Sequence, residues 1–176
     1  MEFTIEKAKP KDAQNVRKLW LQLLKVYPNS FRTTFTEAKK TTVLTQKELI
    51  SKTNLQKNSI MLLAETKKEI IGMITCLGGN LIKTKHIGTI VGFGVLPEFT
   101  KSGVGTALMN KLVNWAKKES LIERLEVSLY SDNYKVLKLY KKLGFVQEGL
   151  QKKASKGKNK NYQDIINLSL FLPKNE

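Results

Sequence analysis

The chain has 176 residues, 41 % of them hydrophobic and 26 % charged, which excludes a disordered or fibrous polymer and leaves enough interior for one real core. Lysine and arginine number 31 against 15 acidic residues, a formal net charge of +16 that attracts anions: nucleic acid, an acidic membrane surface or a phosphorylated small ligand. Lysine-rich coding bias explains the same surplus without any basic-surface partner. One cysteine (Cys76) and one histidine (His86) exclude an internal disulfide and argue against a Cys/His metal site, so no metal is expected. The opening MEFTIEKAKPKDAQ has no apolar leader core, and no run reaches the roughly 18 apolar residues of a membrane span. A cytoplasmic protein without a membrane partner is the expectation.

FTIEKA alternates and predicts a first strand, ended at Lys9-Pro10. Asp12 is placed to cap a helix whose apolar stripe is Val16, Leu19, Trp20, Leu23 and Leu24, stopping before Tyr27-Pro28. Residues 28–44 read as an irregular connector, with a flexible lid as the alternative. Thr45-Gln46-Lys47-Glu48 has capping-box spacing and predicts a second helix carrying Leu49, Ile50 and Leu55. IMLLAE, EIIGMITCL and HIGTIVGFGV predict three strands with short links, an antiparallel meander. GVGTALMNKLVNWAKKE predicts a helix with Val104, Ala107, Leu108, Leu112, Trp115 and Ala116 on one face. RLEVSLY follows as a strand, then a helix from Asn133 to Leu143. FVQEGL and DIINLSLFL close the chain as strands around a lysine-rich loop. With no repeat and no linker, residues 1–176 are read as a single α+β domain, a mostly antiparallel sheet with helices on both faces.

The stretch SGVGTALM sits between a strand and a helix. Its glycines let a ligand approach the backbone, and the helix's first N–H groups and dipole favour a pyrophosphate. The third glycine of a dinucleotide fingerprint is absent, and so is the Lys-Ser/Thr of a Walker loop. A tight strand-to-helix turn explains the segment equally well by itself.

The order V-x-P-E-F, then G-V-G-T-A-L, then N-x-x-x-x-x-L-Y-x-K-L-G-F about thirty residues on resembles the GNAT superfamily of acetyl-CoA-dependent N-acyltransferases. The match is firm over residues 86–146 and loose elsewhere. The resemblance implies the GNAT fold: a central, mostly antiparallel mixed sheet of about seven strands flanked by helices and splayed between strands four and five. Acetyl-CoA, as cosubstrate, would wedge into that splay. Backbone at Phe93, Gly94 and Val95 would pair with the pantetheine arm. Amides of Thr100, Lys101, Ser102, Gly103, Val104, Gly105 and Thr106 would seat the pyrophosphate. Asn133 would contact the pantetheine, and Tyr140 would face the sulfur as the catalytic acid. The family commonly has Arg or Gln where Thr100 stands and Gly where Lys101 stands, so here the seat would rely on backbone amides.

The resemblance does not supply a base. Val91 occupies the strand-four position where some relatives carry glutamate; Glu98 is expected on the solvent side of its turn and His86 as a local structural residue. The implied partner is an amine acceptor, small molecule or protein N-terminus, which the Glu148-Gly149-Leu150 and Tyr162-x-Asp164 patterns do not choose. Residues 28–44 and the last two strands are expected to shape its pocket. The rival reading is a noncatalytic binding module that uses the basic surface, Lys152–Asn161 included, for nucleic acid or ribosome. The scarcity of interleaved aromatics there argues against nucleic acid. A homodimer is compatible with the sequence.

Overall fold

A computed structural model describes residues 2–119, 121–157 and 161–173. The elements in chain order are β1 (Thr4–Lys7), α1 (Ala13–Val26), α2 (Phe35–Lys39), α3 (Val43–Leu55), β2 (Ile60–Glu65), β3 (Ile70–Gly78), β4 (Ile87–Val95), α4 (Val104–Glu119), β5 (Arg124–Tyr130), α5 (Tyr134–Lys142), β6 (Val146–Lys156) and β7 (Tyr162–Phe171). The seven strands form one sheet in the order β1-β2-β3-β4-β5-β7-β6. Every neighbouring pair is antiparallel except β4 and β5, which run parallel. The α+β expectation and the meander over β2, β3 and β4 therefore hold.

IMLLAE is apolar throughout because both of its faces are covered. Alternation along β2 sends Ile60, Leu62 and Ala64 to the side of α4, and Met61 and Leu63 to the side of α1. The α4 side is packed by Val104, Leu108, Leu112 and Ala116, one residue per helical turn, with Met109 beside them. Val16, Leu19 and Leu23 of α1 and Ile50 of α3 close the opposite face. Each such fully buried aliphatic side chain contributes roughly 1.5–3 kcal/mol of transfer free energy.

Several boundaries differ from expectation. Asp12 precedes α1, but its carboxylate accepts from the Lys9 amide at 2.7 Å and does not cap that helix. Helix α3 begins three residues earlier than expected, because the Thr42 hydroxyl accepts from the Thr45 amide at 3.1 Å. Of its three expected apolar contacts only Ile50 is buried; Leu49 and Leu55 are exposed. The connector holds α2, whose capping box is Thr34 with Glu37. The lysine-rich loop is shorter than expected, since β6 continues to Lys156 as a solvated edge strand. Residues 158–160 of the Lys152–Asn161 segment lie outside the described residues.

Two irregularities in β4 shape the centre of the molecule. Against β3, Gly94 pairs with Met73 and Val91 with Thr75, so β4 carries one extra residue opposite Ile74. Gly92 sits in this bulge at φ +60, a left-handed conformation that favours glycine. Against β5, β4 is paired only from Ile87 to Thr89 with Arg124 to Glu126. The bulged half of β4 therefore lies beyond the parallel pairing.

Candidate active site

A cavity of about 760 Å³ lies where that pairing stops. Its wall includes Thr89 to Val95 of β4 and Val127 to Tyr130 of β5. Trp20, Met61 and Met73 line it from the α1 side of the sheet, and Val136 and Tyr140 from the α5 side. The cavity thus crosses the sheet and reaches both faces.

Tyr140 is 1 % exposed, held edge-on between Phe93 (ring centroids 6.2 Å apart) and Phe145 (4.9 Å). Its hydroxyl has no hydrogen-bond partner among the described residues, although the residue lines the cavity. Burial pushes its phenol above the ordinary value, so the group stays protonated and able to donate. Asn133 caps α5 by accepting from the Val136 amide at 3.4 Å and also lines the cavity, so both roles read from sequence are sterically compatible.

The glycine segment forms the N-terminus of α4. The Gly103 carbonyl accepts the first helical bond, from the Ala107 amide at 2.9 Å. Gly103 has φ +79 and nothing within 4 Å of a would-be Cβ, so backbone conformation alone calls for glycine there. The amides of Gly103, Val104, Gly105 and Thr106 have no acceptor among the described residues, as a helix start leaves them. Thr100, Gly103, Gly105 and Thr106 line the cavity, as do Phe93, Gly94 and Val95. Lys101 and Ser102 are exposed outside its lining, and the Val104 side chain is in the core. The Thr100 hydroxyl donates to the Pro97 carbonyl at 3.0 Å.

Among the described lining residues there is no carboxylate and no histidine. Val91 lines the cavity, whereas Glu98 and His86 do not. The His86 main-chain carbonyl accepts from the Glu123 and Arg124 amides, joining the starts of β4 and β5. Cys76 is buried in the α4-side core, where desolvation pushes its thiol to about 12 and removes it as a nucleophile. No group of three or more potential metal ligands occurs among the described residues, and none of their helices is long and apolar enough to cross a membrane. Sequence reasoning missed the α1-side wall, with Trp20, Tyr27, Gln46, Thr53, Met61 and Met73. Buried polar residues at Gln46 and Thr53 of a short helix were the available signal. Of the connector, Ser30 to Thr33 reach the cavity, and of the last two strands only Ile165 does.

The sequence profile of the acetyltransferase (GNAT) family matches residues 20–145. The chain belongs to that family. An uncharacterised N-acetyltransferase of Bacillus subtilis (strain 168), YoaA, is 28 % identical over 83 residues, 47 % of this chain and 45 % of the relative. The chain thus matches about half the length of that relative. The fold is shared with a GNAT-family acetyltransferase from Streptococcus pneumoniae, with TM-score 0.87 and 23 % identity over 97 % of this chain and 100 % of that one. It is also shared with YncA of Salmonella typhimurium, a proposed acetyltransferase solved with its cofactor acetyl-CoA (TM-score 0.84, 14 % identity, 100 % and 97 % covered). A ribosomal-protein-alanine N-acetyltransferase from Brucella melitensis is similar as well (TM-score 0.81, 16 % identity, 96 % and 99 % covered).

Proposed function

We propose that the protein transfers the acetyl group of acetyl-CoA to a primary amine by direct attack in a ternary complex. The observation that carries this reading is the cavity crossing the sheet, with unpaired α4 amides and a protonated, unpartnered Tyr140 on one side and a separate wall on the other. Beyond their parallel pairing, β4 and β5 diverge around acetyl-CoA, whose thioester supplies an activated acetyl group and a thiol leaving group. Phe93, Gly94 and Val95 offer backbone to the pantetheine arm as an added strand would. The free amides of Gly103 to Thr106 receive the pyrophosphate at the helix end, with the Lys101 and Ser102 side chains approaching it from solvent, whereas the Thr100 and Ser102 amides expected in the seat already donate to the Pro97 and Phe99 carbonyls. Asn133 contacts the arm.

The neutral amine attacks the thioester carbonyl, the C–S bond breaks, and Tyr140 donates to the sulfur as charge develops there. The attacking nitrogen passes its proton to water, since the described wall offers no carboxylate. Calorimetry with acetyl-CoA tests the first half of the reading: saturable micromolar binding is expected, and none would leave a noncatalytic module. Tyr140→Phe should lower kcat about 100-fold, the scale of one lost donor to a developing anion, while the acetyl-CoA Kd stays within about twofold. Unchanged turnover removes Tyr140 from the acid role.

A further inference from the structure

The α1-side wall of the cavity carries more information than its shape. It is built from Trp20, Phe31, Leu49, Met61, Met73 and Val91, a surface for an apolar body of aromatic size. Polar side chains interrupt it, Tyr27, Gln46, Thr53 and Thr75 among them, and the Thr53 hydroxyl is already used, donating to the Leu49 carbonyl at 2.8 Å. Gln46 is 7 % exposed and Thr75 is 4 % exposed, and neither side chain has a hydrogen-bond partner among the described residues. Thr75 follows Met73 by two in β3, while Ile74 and Cys76 pack into the opposite core, so alternation turns Thr75 to the α1 side.

The one fully enclosed side-chain polar atom without a partner among the described residues is Asn54 Oδ1. The Gln46 amide and the Thr75 hydroxyl are therefore not sealed off, and the cavity is the space both of them line. An amide with two donors and an acceptor, and a hydroxyl on the same cavity wall, are open to an uncharged or anionic group from a ligand.

Charge points the same way. The charged residues among the described lining are Arg32 and Lys135, both cationic and both exposed. An acceptor with several ammonium groups would bring charge into an apolar wall with nothing to compensate it. An acceptor with a single amine sheds its one positive charge before it attacks.

We propose that the acceptor is a small monoamine with an apolar body of aromatic size and one further uncharged or anionic hydrogen-bonding group, engaged by Gln46 and Thr75. The proposal rests on the acetyltransferase reading above. It excludes polyamines and aminoglycosides as preferred acceptors.

The test is a CoA-thiol release assay with tyramine, L-phenylalanine and L-phenylalaninamide against spermidine, kanamycin and an alanine-initiated peptide. At least one aromatic monoamine should exceed the polycations in kcat/KM by about a hundredfold, a margin set by unpaired charge in the wall. Gln46→Leu should raise the KM of that monoamine about tenfold, as for one lost hydrogen bond at a dry site, with kcat and the acetyl-CoA KM nearly unchanged. Thr75→Val should act in the same direction. Gln46→Glu should narrow the gap to spermidine, which a merely structural glutamine would not do; melting temperatures check that each variant folds. A preference for spermidine, kanamycin or the peptide overturns the proposal. So does an unchanged acceptor KM in both Gln46→Leu and Thr75→Val. Calorimetric binding of acetyl-CoA without turnover of any monoamine at millimolar concentration overturns it too, whereas absent acetyl-CoA binding overturns the acetyltransferase reading itself.

Discussion

At the residue scale, the packing of Tyr140 suits the acid role proposed for it. Its ring is wedged between Phe93 and Phe145, so the hydroxyl's direction is fixed by packing and costs no ordering when a ligand arrives. Burial raises the phenol above its ordinary 10.0. A raised phenol keeps its proton through and beyond that value, so the donor is lost only in strong alkali. The amine acceptor behaves oppositely, because it must be neutral to attack. With water as the proton acceptor, kcat/KM should climb about tenfold per pH unit up to the acceptor's own pKa and not fall before pH 10 or so. A pH–rate profile that bends near pH 6 would mean a protein base, contrary to the wall's composition. The role of Tyr140 came from motif resemblance, since a tyrosine at helical spacing reads equally well as core. The acceptor-wall residues had no such pattern, being scattered over α1, α3, β2 and β3.

At the scale of elements, α1 packs onto β4 at a point where the strand carries a glycine. A Cβ on Gly94 would lie 2.7 Å from Leu23 Cδ1 of α1, so that helix rests directly on the strand backbone. Gly94→Ala should lower stability by about 1–3 kcal/mol through overpacking. Denaturant unfolding measures this, and Leu23→Ala in the same chain should lessen the penalty by making room, giving a non-additive pair. Strand identities were legible because each is a short apolar or alternating run bounded by turn residues. Helix starts were less so, since Thr42, Thr45 and Thr34 all offer cap chemistry and only tertiary context selects among them. The extension of β6 was hidden by its composition. Lys152, Lys153 and Lys156 look like a loop, yet lysines are also what an exposed edge strand uses to discourage pairing with another chain.

In the whole molecule, the single parallel pair in the sheet decides where the cavity sits. Short antiparallel links need no crossover, whereas the connection from β4 to β5 passes through α4 and delivers that helix's N-terminus beside the β4 bulge. The topology, more than any one residue, brings the segment around Gly103, the bulge and Tyr140 to one place. The family resemblance implied a common ligand for the Gly103 segment and Tyr140, whereas the bulge at Gly92 was implied by neither resemblance nor periodicity.

A cavity that crosses the sheet also separates two energetic problems. On one face Gly103→Val would force a left-handed backbone on a branched residue, at a cost of about 1–2 kcal/mol, and should weaken only the acetyl-CoA KM. On the other face Gln46→Leu should weaken only the acceptor KM. In the double variant the two losses in kcat/KM should multiply, with a coupling of less than about 0.5 kcal/mol between sites that share no partner. Strong coupling would show that the faces communicate. Independence would make the sheet a partition, so the acceptor wall of this protein could be rebuilt for another amine without retuning the machinery that holds and opens the thioester.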